Sequence, residues 1–439
     1  MGRAGRQAIW SALRVRVSEC EWRCGLLDTT ELTEACTDDA NNTLVAPSTL
    51  QDNDLIRDFF GSTITPEYLA SGSPDLERKT VYLCGDVSGI SDRHLRAAAR
   101  VFVIRELSHG YHEDVDKPWT LVDLGQVPIR VHNAGVYYRR FFDLGADHFG
   151  RIRADHAFQS LTESTKPGTA HRSGIYLTPV ARHGDELHFR LLRCSTNLSG
   201  PTESFSPTDT RIVDALNREA AAVFRNQAPL NHVLAQTYHN TPATAERKQS
   251  KAKISAHADK TKDMPVNGIM AFCTFYDGLD RLQPLAVDAF DYGVKGASGL
   301  TKLHFRLKEP TEERNGVTLP PQFTVTLYPG SVFFMPLSTN RLYTHEIRPS
   351  TLAAELLPIR LGYVVRCSST EAVHKNGQTF LKANGDLVKL EPPTPTGMDE
   401  LRRLYAEENK NSSFIDYGDE FLFSMNTGDY LAPRVQNLG

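Results

Sequence analysis

Residues 253–278 read KISAHADKTKDMPVNGIMAFCTFYDG. A short polar segment carries His257 and Asp259 one residue apart. Lys253, Ile254 and Ser255 before it alternate like an emerging strand, and the apolar run 269–276 behind it has strand length. Residues separated by one project to the same face of a strand. An imidazole nitrogen and a carboxylate oxygen can therefore converge on one point. Those are two of the three ligands of a 2-His-1-carboxylate set, which leaves open positions on Fe(II). In a chain with 15 His, H-x-D alone says little, so the surrounding sequence has to supply the third ligand.

That ligand should be a histidine on a neighbouring downstream strand, and His304 and His345 are the candidates. His345 sits in NRLYTHEI, just after the turn and strand PGSVFFM. Arg360 and Arg366 follow in IRLGYVVRC, where positions 360, 362, 364 and 366 share a face. A buried strand does not carry two arginines on one face without an anionic partner, because an unpaired buried charge is costly. A bidentate grip on the far end of a dicarboxylate would explain Arg360. His304 has no such follower, which favours His345.

In this order, HADKTKDMP, PGSVFFMPLSTNRLYTHEI and IRLGYVVRC resemble the Fe(II)/2-oxoglutarate oxygenases of the AlkB-like branch, over residues 208–370. The resemblance implies an α+β protein with a double-stranded β-helix (jelly-roll) core, helices packed outside it and an N-terminal α/β extension. It implies His257, Asp259 and His345 as iron ligands, with Fe(II), 2-oxoglutarate and O2 as cofactor and co-substrates. By position, Arg360 resembles the residue that pairs with the C5 carboxylate of 2-oxoglutarate, and Arg366 the second arginine near it. Tyr238 resembles the tyrosine that hydrogen-bonds the keto-acid, and Gln236 stands where an Asn is usual. The loop between Tyr238 and His257 is longer than the family pattern, and GYVVR replaces the N-L-T-F-R of the DNA-repair members. No nucleic-acid-binding motif is recognisable in the roughly 200 residues ahead of the core.

Two substrates suit this chemistry: a small metabolite, such as an amino acid, or a nucleobase of DNA or RNA undergoing demethylation. Phe272, Thr274, Tyr276, Val332 and Phe334 are expected to line a compact, partly apolar pocket. Lys260, Lys262 and Asp263, directly after the ligands, are expected to gate it or touch substrate. A nucleic-acid substrate would call on Arg247, Lys248, Lys251 and Lys253, and on Tyr138, Arg139 and Arg140. The net charge of −4 excludes a globally basic nucleic-acid binder.

The chain as a whole is of ordinary globular composition, 40% hydrophobic and 23% charged. No apolar run approaches a membrane span. The seven scattered cysteines, with Cys273 and Cys367 inside apolar strands, suggest a reducing, cytoplasmic setting. An arginine-bearing, acid-free start (MGRAGRQAIWSALRVRVS) leaves a mitochondrial presequence as the alternative. The expected division is a poorly ordered segment 1–52, an α/β region 53–205, the oxygenase core 206–370 and an extension 371–439. The oligomeric state stays open. Within these parts, Ser91 and Asp92 should cap a helix running through Ile104, residues 127–142 read as one strand, and 175–180 pairs with 186–194 as a hairpin. Pro207 opens the clearest helix, and Thr396 to Asp399 looks like a later helix cap.

Overall fold

The computed structural model describes residues 34–50, 53–72, 74–111, 117–161, 172–193, 198–309 and 319–436. Two sheets form its centre, antiparallel at every pairing except that of Arg172–Thr178 with Glu203–Ser204. The larger has nine strands, with Arg172–Thr178, His232–Tyr238, Ile359–Arg366, Ile269–Asp277, Val332–Pro336 and Gly135–Tyr138 running side by side in that order. The smaller has four, in the order Ile254–His257, Tyr343–Ile347, Lys302–Leu307, Gln322–Thr326. From residue 254 onward the chain alternates between them. Ile254–His257 lies in the small sheet and Ile269–Asp277 in the large one. Two small-sheet strands follow, then Val332–Pro336 in the large sheet, Tyr343–Ile347 in the small and Ile359–Arg366 in the large.

The period-2 pattern of each large-sheet strand divides its side chains between two cores. Ala271, Cys273, Phe275, Leu361, Tyr363 and Val365 pack against the helix Pro207–Val223 on the outside. Met270, Phe272, Phe333 and Met335 point inward to Leu303, Phe305, Phe323 and Tyr343 of the small sheet. Phe305 and Phe323 stack there with centroids 4.5 Å apart. The outer helix begins as expected. The Ser206 hydroxyl accepts from the Thr208 and Asp209 amides, Asp209 returns the bond to the Ser206 amide, and Pro207 fills the first turn. Its stripe of Ile212, Leu216, Ala220 and Val223 is buried.

Ahead of the core lies a five-stranded sheet in the order Ser62–Ile64, Asn42–Val45, Thr80–Asp86, Arg100–His109, Thr120–Val122, parallel at every pairing. Three expectations change here. Asn42–Val45, within the segment read as poorly ordered, is a fully buried inner strand; residues 1–33 lie outside the described residues. The helix from Asp92 ends at Leu95, and Val101 and Ile104 belong to a strand. Their run VFVI is β-branched and aromatic, and a parallel strand covered on both faces reads as a continuous apolar run, hiding its period. Residues 127–142 split into Ile129–Val131 and Gly135–Tyr138, joined by a tight turn with His132 at φ 51°.

The hairpin across 181–185 also differs. Its first arm, Arg172–Thr178, pairs with His232–Tyr238 in the large sheet. The second, Glu186–Leu191, joins Ala181–His183 and Thr370–Lys375 in a separate five-stranded sheet; Cys194 lies outside the described residues. Gln378–Ala383 and Asp386–Lys389 extend that sheet through a two-residue turn at Asn384 and Gly385, both at positive φ. The last long helix, Pro395–Lys410, is capped by Thr394, two residues earlier than the sequence suggested, with Pro395 again in the first turn. Cys273 and Cys367 are buried free thiols. Among the described residues no helix is long and apolar enough to cross a membrane.

Candidate metal centre

Ile254–His257 and Tyr343–Ile347 pair so that His257 stands directly opposite His345, with ring centroids 4.5 Å apart. Asp259, just past the end of the first strand, turns its Oδ1 toward both rings, 3.6 Å from His257 Nε2 and 3.9 Å from His345 Nε2. One ligand atom from each of the three lies within 4.8 Å of the others. His257 Nδ1 donates to the Ser255 carbonyl at 2.9 Å, which fixes the ring with Nε2 facing the centre. Phe272 and Phe305 pack against the His345 ring from the two sheets. Burial, with the neighbouring His257 adding to it, pushes the His345 imidazole down to about 3. It is therefore neutral, the form that binds metal. Burial alone would raise the Asp259 carboxyl, but Arg366 and the two histidines outweigh it and hold the group well below the usual range.

Arg366 acts on the other carboxylate oxygen. Its Nε and Nη2 donate to Asp259 Oδ2 at 3.0 and 2.6 Å, so Oδ1 alone is turned to the histidines. Six residues away on the same face, Arg360 is only 5% exposed, and its Nε and Nη1 have no hydrogen-bond partner among the described residues. Its guanidinium lies 4.7 Å from the ring centroid of Tyr238, the residue opposite it in register. The Tyr238 hydroxyl donates to Gln236 Oε1 at 2.8 Å. Gly362 keeps this space open, since a Cβ there would sit 2.9 Å from Arg360 Nη2 and 3.2 Å from the Tyr238 ring. Thr274, opposite Gly362, is fully buried with its Oγ1 unpartnered among the described residues. A cavity of about 280 Å³ reaches Arg360 and Tyr238, bounded also by Asn240, Ile347, Leu357 and residues 297–302.

The donor sets fit what the sequence suggested they would hold. Two imidazoles and a carboxylate on one side of a point suit Fe(II) with open positions. Buried guanidinium donors without partners, above a glycine, suit a carboxylate.

Other expected residues are not brought to this point. His304 faces away, its Nδ1 bonded to Thr324 Oγ1 at 3.0 Å, and lines the cavity from outside. Phe334 and Val332 project into the outer core with Tyr138 and Phe224. It is Phe333, one residue along, that faces the small sheet, because a shift of one reverses the face. Asp263 is buried in another network, accepting from the Arg193 guanidinium (2.7 Å), Lys262 Nζ (3.0 Å) and Thr370 Oγ1 (2.9 Å). Lys260 donates to the Tyr405 carbonyl at 2.9 Å, and Tyr276 to that of Leu327 at 2.8 Å. Lys251 donates to the carbonyls of Ser350 and Leu352, and Arg139 and Arg140 stack on Phe290. Tyr138 is buried against Glu219. Arg247, Lys248 and Lys253 are exposed.

The sequence reading missed Asn340. Buried at 1% exposure, it accepts from the Asp259 amide and donates to the Asp259 carbonyl, both at 2.9 Å, clamping the backbone of this candidate ligand. Its position three residues before the strand that carries His345 was the one available signal.

No family model matches the chain, and no curated protein matches it. Among solved structures it is similar to OsALKBH1, at 13% identity over 55% of this chain and 99% of that one, with a TM-score of 0.32. It is also similar to a prolyl-4-hydroxylase of Pseudomonas putida, at 9% identity over 53% and 90%, TM-score 0.27. SnoN, a non-heme alpha ketoglutarate dependent epimerase from nogalamycin biosynthesis, gives 14% over 60% and 92%, TM-score 0.29. Superposition this loose decides nothing about the chemistry, which rests on this chain's own side chains.

Proposed function

We propose that this chain is an Fe(II)/2-oxoglutarate-dependent oxygenase of the AlkB-like type that oxidises a C–H bond of a small metabolite, such as an amino acid. The observation that carries the reading is the shared face of Ile359–Arg366. One end of it places Arg366 on Asp259 beside His257 and His345, and the other holds Arg360, whose Nε and Nη1 have no hydrogen-bond partner among the described residues. The alternation of strands between the two sheets supports a double-stranded β-helix as the core. In this reading His257, Asp259 and His345 hold the iron, and Arg366 keeps the Asp259 carboxylate oriented. Arg360 receives the C5 carboxylate of the keto-acid over Gly362, with Tyr238 and Gln236 alongside and Thr274 offering a hydroxyl. Phe272 and Phe305 keep water from the His345 side. Iron and 2-oxoglutarate, when bound with O2, supply the oxidising chemistry and yield succinate and CO2 as co-products.

A metabolite is favoured over a nucleobase because the basic residues expected to meet phosphates are partly occupied, Lys251 by carbonyls and Arg139 and Arg140 by Phe290. The test is anaerobic reconstitution with Fe(II) and 2-oxoglutarate, read by the weak visible charge-transfer band of the chelate. O2 is then added with pooled amino acids or methylated oligonucleotides, and succinate is counted. A band with amino-acid-stimulated succinate supports the proposal, and stimulation by oligonucleotides alone transfers it to nucleobase demethylation. Absence of the band in iron-free wild-type protein after reconstitution overturns the three-ligand reading.

A further inference from the structure

The segment between His257 and the strand Ile269–Asp277 runs outside both sheets, so its backbone amides have no ladder partners. Ala258 and Asp259 are nonetheless buried, and a buried N–H needs an acceptor. Asn340 supplies one for Asp259 from within the core. The others come from the far end of the chain. Asn409 Oδ1 accepts from the Ala258 amide at 2.8 Å, and Glu408 Oε1 accepts from the Thr261 amide at 3.1 Å and from its hydroxyl. The traffic also runs the other way. Carbonyls in the last turn of an α-helix lack intrahelical partners and attract cations. Lys308 Nζ donates to the Glu408 carbonyl there at 2.6 Å, and Lys260 Nζ donates to the Tyr405 carbonyl one turn earlier, at 2.9 Å. Burial, eased by Glu408, lowers the Lys308 ammonium to about 8. Glu408 is itself held by the Tyr417 hydroxyl at 2.6 Å.

We propose that the end of the helix Pro395–Lys410 is a working part of the metal centre, with Asn409 a positioning residue that fixes the peptide joining His257 to Asp259. The inference rests on the metal-centre reading above. Ala258 is the residue between the two ligands, so the angle between the imidazole and the carboxylate depends on its peptide, and Asn409 is the side chain that holds that amide. Asn340 on one flank and Asn409 on the other hold the loop rigid enough to present two ligands at once. Lys308 belongs to this assembly as a cap of the helix end, and Lys260 ties the ligand segment to the same helix one turn earlier.

The test uses the full-length apoprotein and Co(II) alone as probe, followed by visible d–d absorption and by the melting temperature without metal. Asn409→Leu, Asn409→Ser and Asn409→Asp are measured side by side with wild type and His257→Ala. Leucine has no acceptor and serine is too short to reach, so each should raise the Co(II) dissociation constant about tenfold or more and alter the band shape. Aspartate keeps an acceptor in place and should restore binding to within about threefold of wild type. A lower apoprotein melting temperature with an unchanged dissociation constant and spectrum in the leucine or serine variant means a merely structural role and overturns the proposal. Wild type that binds Co(II) no better than His257→Ala sinks the metal centre itself, a different result from equal, tight binding by wild type and the Asn409 variants.

Discussion

Arg366 holds one oxygen of Asp259 with two nitrogens and leaves the other oxygen to the two histidines. The pair lies 107 residues apart in sequence and is buried. Removing the guanidinium frees the carboxylate to rotate and strips the charge that keeps it ionised. Arg366→Leu should weaken metal binding about 10–100-fold. Co(II) or Mn(II) titration of the folded apoprotein measures this; an unchanged dissociation constant contradicts it.

Arg360 is expected to act on the keto-acid and leave the metal alone. Arg360→Leu should raise the KM for 2-oxoglutarate about 100-fold, the cost of losing one partner of a buried charge pair. Co(II) affinity should stay at the wild-type value. Gly362→Ala should act the same way by a different cause, since its methyl group would press on Arg360 Nη2 and the Tyr238 ring. A metal-binding defect in either variant would contradict the separation of the two functions.

Asp263 is placed to serve stability. It receives the Arg193 guanidinium, whose Nη1 also donates to the Phe421 carbonyl at 2.7 Å and so ties down the C-terminal tail. Asp263→Ala leaves a buried arginine without its counter-ion and should cost about 3–5 kcal/mol. Urea unfolding at neutral pH reads the loss, and succinate yield per bound iron in the remaining folded protein should be unchanged.

His156 makes stability depend on alkaline pH. Burial alone would push its imidazole down, but hydrogen bonds to Asp209 (2.7 Å) and Glu203 (3.0 Å) outweigh it and raise the group to about 9. A group raised on folding stabilises fully below its unfolded value, roughly 6.5, and loses that contribution as pH climbs through the folded value. The urea midpoint should therefore fall between pH 6.5 and 9, by a contribution on the order of 3 kcal/mol. His156→Gln should be less stable at pH 6 and flatten the slope. A wild-type slope retained in that variant would assign the effect elsewhere.

The parts of the site legible in the sequence are those that obey a local period. R-x5-R keeps Arg360 and Arg366 on one face of their strand, and H-x-D keeps His257 and Asp259 close in sequence, although Asp259 lies past the strand end and is held there by Asn340. Parity was also where the reading failed. In GSVFFM the two phenylalanines are adjacent, and apolar residues on both faces of a buried strand give no sign of which points inward, so Phe334 was chosen where Phe333 faces the small sheet. The parallel sheet hid behind the same lack of contrast, with Val101 and Ile104 read as helix. Lys260 and Asp263 looked like substrate contacts because charged residues beside metal ligands invite that reading. Their partners, Tyr405 and Arg193, lie 145 and 70 residues away and leave no local trace. Asn340 and Asn409 are illegible for a related reason: each is complementary to a backbone amide, and every residue except proline has one.

The reach of residues 408 and 409 back to 258 and 261 also sets an order of events in the life of the chain. Contacts this far apart in sequence are late to form, because a long loop must close before they repay its entropy. During synthesis both large-sheet and small-sheet strands are complete by residue 366, well before the helix that grips the ligand loop has been made. Until then the strands of both sheets can be present while the loop carrying His257 and Asp259 lacks its acceptors at 408 and 409. The amides of Ala258 and Thr261 meet their acceptors only once residues 408 and 409 have been made.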